Sequence, residues 1–335
     1  MAAVDGSGLS TSVAVDLLGS FDLSKDSGAR NALDIREAEV SLFAPIDHQF
    51  DGVLSLAAHN EKGESLFELH EANIGSSKLI SGLSFKLGQY FLSIGRLNRF
   101  HRHDWPFTSA PKVFTEFFGS EGILDSGLEA SYLLPVPVYL NLTAGVTNGR
   151  TFGHSHSEGE RPDKPTHYFR LSTFAEGESC DLSTGVSYLS RTSAEGEKLE
   201  LKGFDGVIKH QGMGYPLVLV QSEIWHREKT PKKGETHRAA GGYLYPQYGL
   251  SKSFFTGVRF DYFTVLSLKN ALGDRVANSE QGIVPTLTYK HSEFASFKLA
   301  YNHIKSTQAR LDDSVKRSVE IQSTFILGAH PAHDF

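Results

Sequence analysis

The sequence predicts an all-β chain folded as one closed antiparallel transmembrane β-barrel of about sixteen strands, with fourteen and eighteen as the neighbouring even counts. Three observations predict it. Apolar and polar residues alternate along most of the chain, which is the period of a strand. Short and long connections also alternate. The 335 residues include 32 Gly, 23 Phe and 12 Tyr against 2 Trp and 2 Met, a β-rich profile. Mean hydropathy is -0.25, and no apolar run approaches the ~20 residues of a helical span. That excludes a helical membrane protein but not a barrel, whose strands are apolar only at every second position.

The alternation is explicit in several segments. Leu128, Ala130, Tyr132 and Leu134 oppose Glu129 and Ser131. Leu140, Leu142, Ala144 and Val146 oppose Asn141, Thr143 and Thr147. Val258, Phe260 and Tyr262 oppose Arg259 and Asp261, and Val319, Ile321, Ser323 and Phe325 oppose Glu320, Gln322 and Thr324. Such segments centre near residues 16, 38, 54, 69, 86, 129, 142, 170, 186, 205, 222, 243, 259, 287, 300 and 322. Short links follow at 45–47, 134–137, 177–179, 212–214, 249–251 and 291–293. Between them lie longer polar links at 22–32, 95–121, 148–165, 192–198, 228–237, 264–280 and 305–314. Short turns on one rim and long loops on the other are the plan of an outer-membrane barrel. An even strand count puts both termini on the short-turn, periplasmic side. A soluble sandwich also alternates, but nothing in that plan requires long and short links to take turns. The whole chain, 1–335, reads as one domain.

Charge and cysteine content narrow the function classes. With 33 basic and 39 acidic side chains the net charge is -6, which argues against a nucleic-acid binder. The single Cys180 excludes a disulfide framework and a cysteine-based zinc finger. Met1-Ala2-Ala3-Val4-Asp5 has neither the basic nor the apolar stretch of a signal peptide, so a barrel reading predicts a mature form. There is no Walker loop, HExxH or GxSxG, and no serine has a nucleophile's neighbours, so the chain is not expected to be an enzyme.

One stretch carries a resemblance. Gly95-Arg96-Leu97-Asn98 leads into His101-Arg102-His103-Asp104-Trp105-Pro106-Phe107. Glu116-Phe117-Phe118-Gly119-Ser120-Glu121-Gly122 and Leu133-Leu134-Pro135-Val136-Pro137 follow. This run resembles a family of Gram-negative outer-membrane porin-like barrels related to the phosphate-selective porins, some of whose members are labelled zinc-regulated outer membrane receptor. Weaker agreement occurs at Arg36-Glu37-Ala38-Glu39, at Glu68 to Ala72 and from Phe325 to Phe335. The resemblance implies a place in the outer membrane of a Gram-negative bacterium, among its lipids, and a link to zinc status. The terminal Phe335 is similar to the aromatic that barrel-assembly machinery recognises. No plug domain of receptor size precedes the first strand, so porin is the better noun. Porins of this size commonly form homotrimers.

The link 95–121, third among those on the long-link side, is expected to fold inward and narrow the lumen, as in porins. Its constriction residues are Arg96, Asn98, Asp104, Trp105 and Phe107, with the neighbouring aromatics packing it onto the wall. His101 and His103 are spaced so that an extended chain points both imidazoles the same way. His154 and His156 repeat the spacing in the next long link. Two such extracellular pairs make a four-nitrogen set that suits Zn²⁺; the competing reading is that they hydrogen-bond the folded loop to the wall. Parity turns Asp16, Glu68, His70, Lys86, Glu129, Arg170, Glu223, Arg259, Asp261, Lys290, Lys298 and Glu320 inward as pore-lining groups. Their signs nearly balance, so no ion selectivity follows, and no phosphate-specific lysine ladder is visible. Tyr243, Tyr245, Tyr248, Phe254, Phe255, Tyr262 and Phe263 are expected to form aromatic girdles. The expected role is passive passage of small solutes or ions, with zinc as the one metal implied. The alternative is a plugged barrel acting as a surface metal-binding or structural protein.

Overall fold

The period-two pattern is realised sixteen times. The computed structural model describes residues 8–24, 31–61, 64–149, 164–212, 214–267, 278–308 and 311–329. The strands are β1 (Ser10–Asp22), β2 (Ala32–Pro45), β3 (Asp51–Glu61), β4 (Glu64–Ile80), β5 (Leu83–Phe91), β6 (Leu124–Leu133), β7 (Tyr139–Thr147) and β8 (Thr166–Ala175). They continue as β9 (Cys180–Thr192), β10 (Lys198–Gly212), β11 (Tyr215–Thr230), β12 (His237–Gly249), β13 (Phe254–Val265), β14 (Asn278–Lys290), β15 (Ala295–Gln308) and β16 (Leu311–Gly328). Each strand pairs with its sequence neighbours, and β1 pairs antiparallel with β16, from Ser12↔Gly328 to Asp22↔Ser318. The sheet is therefore closed, with no free edge among these strands. Every segment centre read from the sequence falls inside its strand.

The two faces differ as the alternation requires. Along β14, Ile283 and Leu287 face out and are exposed, while Val284, Thr286 and Thr288 face in and are buried. Phe67 on β4 is 83% exposed. Leu33, Leu87, Val146, Phe169, Ile224 and Leu299 add to an outer wall that in water would be one continuous apolar surface. The inner face holds buried charge and aromatics instead. Glycine on that face makes room for them: a Cβ on Gly145 would meet the Tyr168 ring at 2.1 Å, and one on Gly203 the Trp225 ring at 2.3 Å.

Two expectations need correction. The link read as 305–314 is mostly strand, since β15 runs to Gln308 and β16 starts at Leu311. Past the apolar band both faces turn polar and the period fades, yet the backbone ladder continues from Ile304↔Lys316 to Ser306↔Ser314. The aromatic cluster of β12 and β13 does not form one girdle. Tyr248, Phe254 and Tyr262 are exposed on the outer wall, but Tyr243, Tyr245, Phe255 and Phe263 are buried inside.

Between β5 and β6 the chain leaves the wall for residues 92–123, slightly more than the 95–121 expected. It makes 3-10 turns at Leu97–Arg99 and Arg102–Asp104 and one short helix, α1 (Lys112–Phe118). Pro111 supplies a fixed φ of -57° at the helix start. Val113, Phe114, Phe117 and Phe118 fall on one buried face at helical spacing. Gly119 ends the helix at φ 89°, a backbone conformation that glycine favours.

Candidate functional site: a lumen filled by one internal segment

The segment 92–123 is held from β2 round to β16. Asn98 clasps its own two ends: Nδ2 donates to the carbonyls of Leu92 (2.8 Å) and Ile123 (3.1 Å), and Oδ1 accepts from the Ile123 amide (2.6 Å). Gly95 passes so close to the wall that a Cβ would stand 2.5 Å from Glu223 Oε2, and its φ of 61° suits glycine. Its amide donates to Ser187 Oγ at 3.0 Å. Arg96 Nε donates to Gln221 Oε1 at 2.9 Å.

The far side of the lumen is apolar. The indole of Trp105 meets Phe114 edge-on at 4.9 Å, and its Nε1 donates to the carbonyls of Leu97 and Phe100. Phe107 sits edge-on to both Tyr243 (5.2 Å) and Tyr245 (5.0 Å), with the Arg259 guanidinium 4.6 Å from its ring centre. Phe118 packs edge-on to Trp225 at 4.7 Å, and Phe117 to Phe263 at 5.9 Å. All of these side chains are buried. Together they make a core inside the barrel, stabilised by burial and aromatic contact.

The near side, against β2, β3 and β4, is ionic. His101 Nδ1 lies 2.7 Å from Glu39 Oε2 and its Nε2 3.1 Å from Glu71 Oε2. His103 Nδ1 lies 2.8 Å from Glu37 Oε1 and its Nε2 3.3 Å from Asp104 Oδ2. Burial alone would lower both imidazole pKa values. For His101 the hydrogen bond and charge of Glu39, then those of Glu71, outweigh it and raise the pKa well above the ordinary value. For His103 the Asp104 charge and the Glu37 hydrogen bond also give a net rise. Arg102 Nη1 reaches Glu121 Oε1 at 2.9 Å. His59 Nε2 and His70 Nε2 stand 3.0 Å apart, and His70 Nδ1 lies 2.8 Å from Glu39 Oε2.

The residues expected to line a pore face the interior, but most of them anchor the segment or pair with neighbours. Glu223 Oε1 accepts from the Leu97 amide (2.8 Å) and Tyr243 hydroxyl (3.1 Å), and Oε2 from Trp225 Nε1 (3.0 Å). Lys298 Nζ donates to the Trp105 carbonyl at 2.6 Å, and Thr108 Oγ1 to Glu320 Oε2 at 2.6 Å. Arg259 donates to the Ser109 carbonyl and to Asp261. Glu129 accepts from Ser93 Oγ (2.9 Å) and Tyr168 (2.7 Å), with Lys86 3.5 Å away. Arg170 holds Asp205 through both terminal nitrogens. Asp16 accepts from Arg36 Nε (2.7 Å) and Gln322 Nε2 (2.9 Å). Glu68 is half-buried beside the His59 and His70 donors, and Lys290 lies 5.3 Å over the Phe255 ring.

The expected histidine chemistry changes in one respect. His101 and His103 flank and enter a 3-10 turn, not an extended chain. Their rings stack at 5.6 Å, and each faces a different glutamate deep in the lumen, not at the extracellular surface. His154 and His156 lie outside the described residues. Among the described residues, the donor groups that could hold an ion are His59, Glu68, His70 and Glu121; Glu39, His70 and His101; and Glu37, Glu39 and His103. The sequence reading missed His59, Glu37, Glu39, Glu71 and Glu121. Parity would have found three of them, because Glu37 and Glu39 alternate with Ala38 and Val40, and His59 shares the inward face of Ser55 and Ala57.

Among the described residues, cavities flank the segment on both sides. One of about 560 Å³ opens on the short-turn side, between Asp51, Glu71, Lys86, Arg99 and Glu129. Two of about 390 and 300 Å³ lie on the long-link side, near Arg191 and Arg227 and near Arg259 and Lys316.

No family model matches the chain. An uncharacterised protein of Aquifex aeolicus (strain VF5) is 27% identical over 340 residues, covering 91% of this chain and 71% of its own length. Among solved structures, an anion-selective porin from Comamonas acidovorans superposes with a TM-score of 0.67 at 9% identity, covering 95% of this chain and 99% of that one. The outer-membrane channel DcaP of Acinetobacter baumannii gives 0.67 at 9% identity, over 95% and 97%. Salmonella typhi OmpF, solved with daunomycin, gives 0.62 at 11% identity, over 98% and 100%. At these identities the likeness establishes the fold, a sixteen-stranded porin-like barrel. The phosphate-selective and zinc-regulated labels are carried by none of these proteins.

Proposed function

We propose that this chain is an outer-membrane barrel giving small solutes or ions a narrow passive route past its internal segment. The observation that carries the reading is the polarity of the closed wall. An apolar exterior suits lipid, while a charged interior keeps water-accessible cavities on both sides of the segment. The porin-like neighbours agree with it, and OmpT of Vibrio cholerae, also described as a trimer, makes a homotrimer the assembly to expect. The filled core of Trp105, Phe107, Phe114 and Phe118 favours a second reading, a plugged barrel that binds at its surface or serves structurally.

Planar-bilayer recording of the refolded protein separates the two. Stepwise currents smaller than those of a loop-shortened variant (residues 100–118 replaced by a short Gly-Ser link) are expected. Current from the shortened variant alone would make the segment a plug. Silence from both folded proteins would leave only the structural or binding barrel.

A further inference from the structure

Six carboxylates crowd the near side of the lumen: Glu37, Glu39, Glu68, Glu71, Asp104 and Glu121. Of the internal segment, Arg102 contacts Glu121, His101 contacts Glu39 and Glu71, and His103 contacts Glu37. The remaining histidines, His59 and His70, stand at the centre of this acidic wall on the inner faces of β3 and β4.

We propose that His59, His70, Glu68 and Glu121 form a binding site for one divalent transition-metal ion, for which zinc is the best-suited occupant. The donor atoms of these four residues lie within 4.8 Å of one another. Tetrahedral zinc with ~2.0–2.1 Å bonds to nitrogen holds neighbouring donors about 3.3 Å apart. The Nε2 atoms of His59 and His70 are 3.0 Å apart, and His70 Nε2 is 3.4 Å from Glu121 Oε2. Both spacings are near that edge length already. The support around the donors is also in place. His70 turns its Nδ1 to Glu39 Oε2 at 2.8 Å, which fixes the ring and leaves Nε2 toward the site. Glu39 in turn accepts from Ser41 Oγ at 3.0 Å, and Glu121 is steadied by Arg102. Two imidazoles and two carboxylates suit zinc among the first-row divalent ions. Three of the four ligands belong to the wall and Glu121 to the end of the internal segment, so the ion would join the two. The site does not depend on whether the barrel conducts.

The test is titration of the chelator-treated full-length protein in detergent with Zn²⁺ by calorimetry, and with Co²⁺ by its visible absorption. Folding of each sample is checked by the heat-dependent shift of an intact barrel in SDS gels. One ion per chain with a tetrahedral Co²⁺ band is expected. His59→Gln combined with His70→Gln should weaken binding by about 100-fold or more, and Glu121→Gln by about tenfold or more. His154→Ala with His156→Ala should leave it unchanged. The proposal is overturned if folded wild-type protein gives neither heat nor band, or binds only weakly at several sites. It is overturned equally if the His154 and His156 variant loses the ion while the His59 and His70 variant keeps it.

Discussion

The internal segment is held in two different ways on its two sides. Residues 105–118 rest against β11, β12 and β13 largely through edge-on aromatic contacts, whose rings carry no titrating charge. Residues 101–104 and Glu121 meet β2, β3 and β4 through imidazoles and carboxylates, with contacts that depend on proton count and on ions. A large apolar contact gives strength but no sensitivity, and a buried ionic one gives sensitivity at a desolvation cost. The contrast places adjustability on the β2–β4 side and permanence on the other.

The strongest way to break the contrast is to remove an anchor from the apolar side. Trp105→Ala should cost about 3–5 kcal/mol of docking stability and enlarge the conductance in bilayers. The chain has 2 Trp, so in this variant Trp225, packed on Phe118, remains as a fluorescence reporter. A red-shifted Trp225 emission is expected; an unchanged one would mean that Trp105 does not hold the segment.

Glu223→Ala is next. It leaves the Leu97 amide, Trp225 indole and Tyr243 hydroxyl without their acceptor, at ~2–3 kcal/mol. Glu223→Gln should recover part of this loss, since one amide oxygen still accepts. Denaturant-induced release of the segment, followed by tryptophan emission, measures both.

The ionic side should yield to pH, with the smallest effect. His101 and His103 have folded pKa values above the unfolded ~6.5. Their contribution to docking is therefore fully present below about 6.5 and is lost as pH rises through the elevated folded values. Protease cleavage within residues 92–123 should increase toward alkaline pH. In His101→Gln combined with His103→Gln that slope should flatten, whereas the Trp105→Ala variant should keep it.

The sequence made the wall legible and the filling only partly so. Strand alternation is a local property, and an outward-facing residue such as Ile283 announces itself beside Thr286 and Thr288. The helix α1 escaped because seven residues scarcely complete two turns of pattern, though Pro111 and the spacing of Val113, Phe114, Phe117 and Phe118 mark it in retrospect. The pairing of His101 with Glu39 and Glu71, and of His59 with Glu121, depends on how far the segment reaches across the lumen. Spacing along the chain encodes none of that distance, which is why an HxH pair read as one shared ligand set resolves into separate contacts.

Thr108 sits across the seam where the chain's two ends meet. Its hydroxyl donates to Glu320 on β16, its carbonyl accepts from Arg36 on β2, and Arg36 grips Asp16 on β1. β16 is the last of the described strands along the chain, and its pairing with β1 closes the ring. A ring closed with the segment elsewhere would lose the Thr108 hydroxyl donor of Glu320 and the Thr108 carbonyl acceptor of Arg36. The closed wall and the seated segment are thus tied together through one mid-chain threonine.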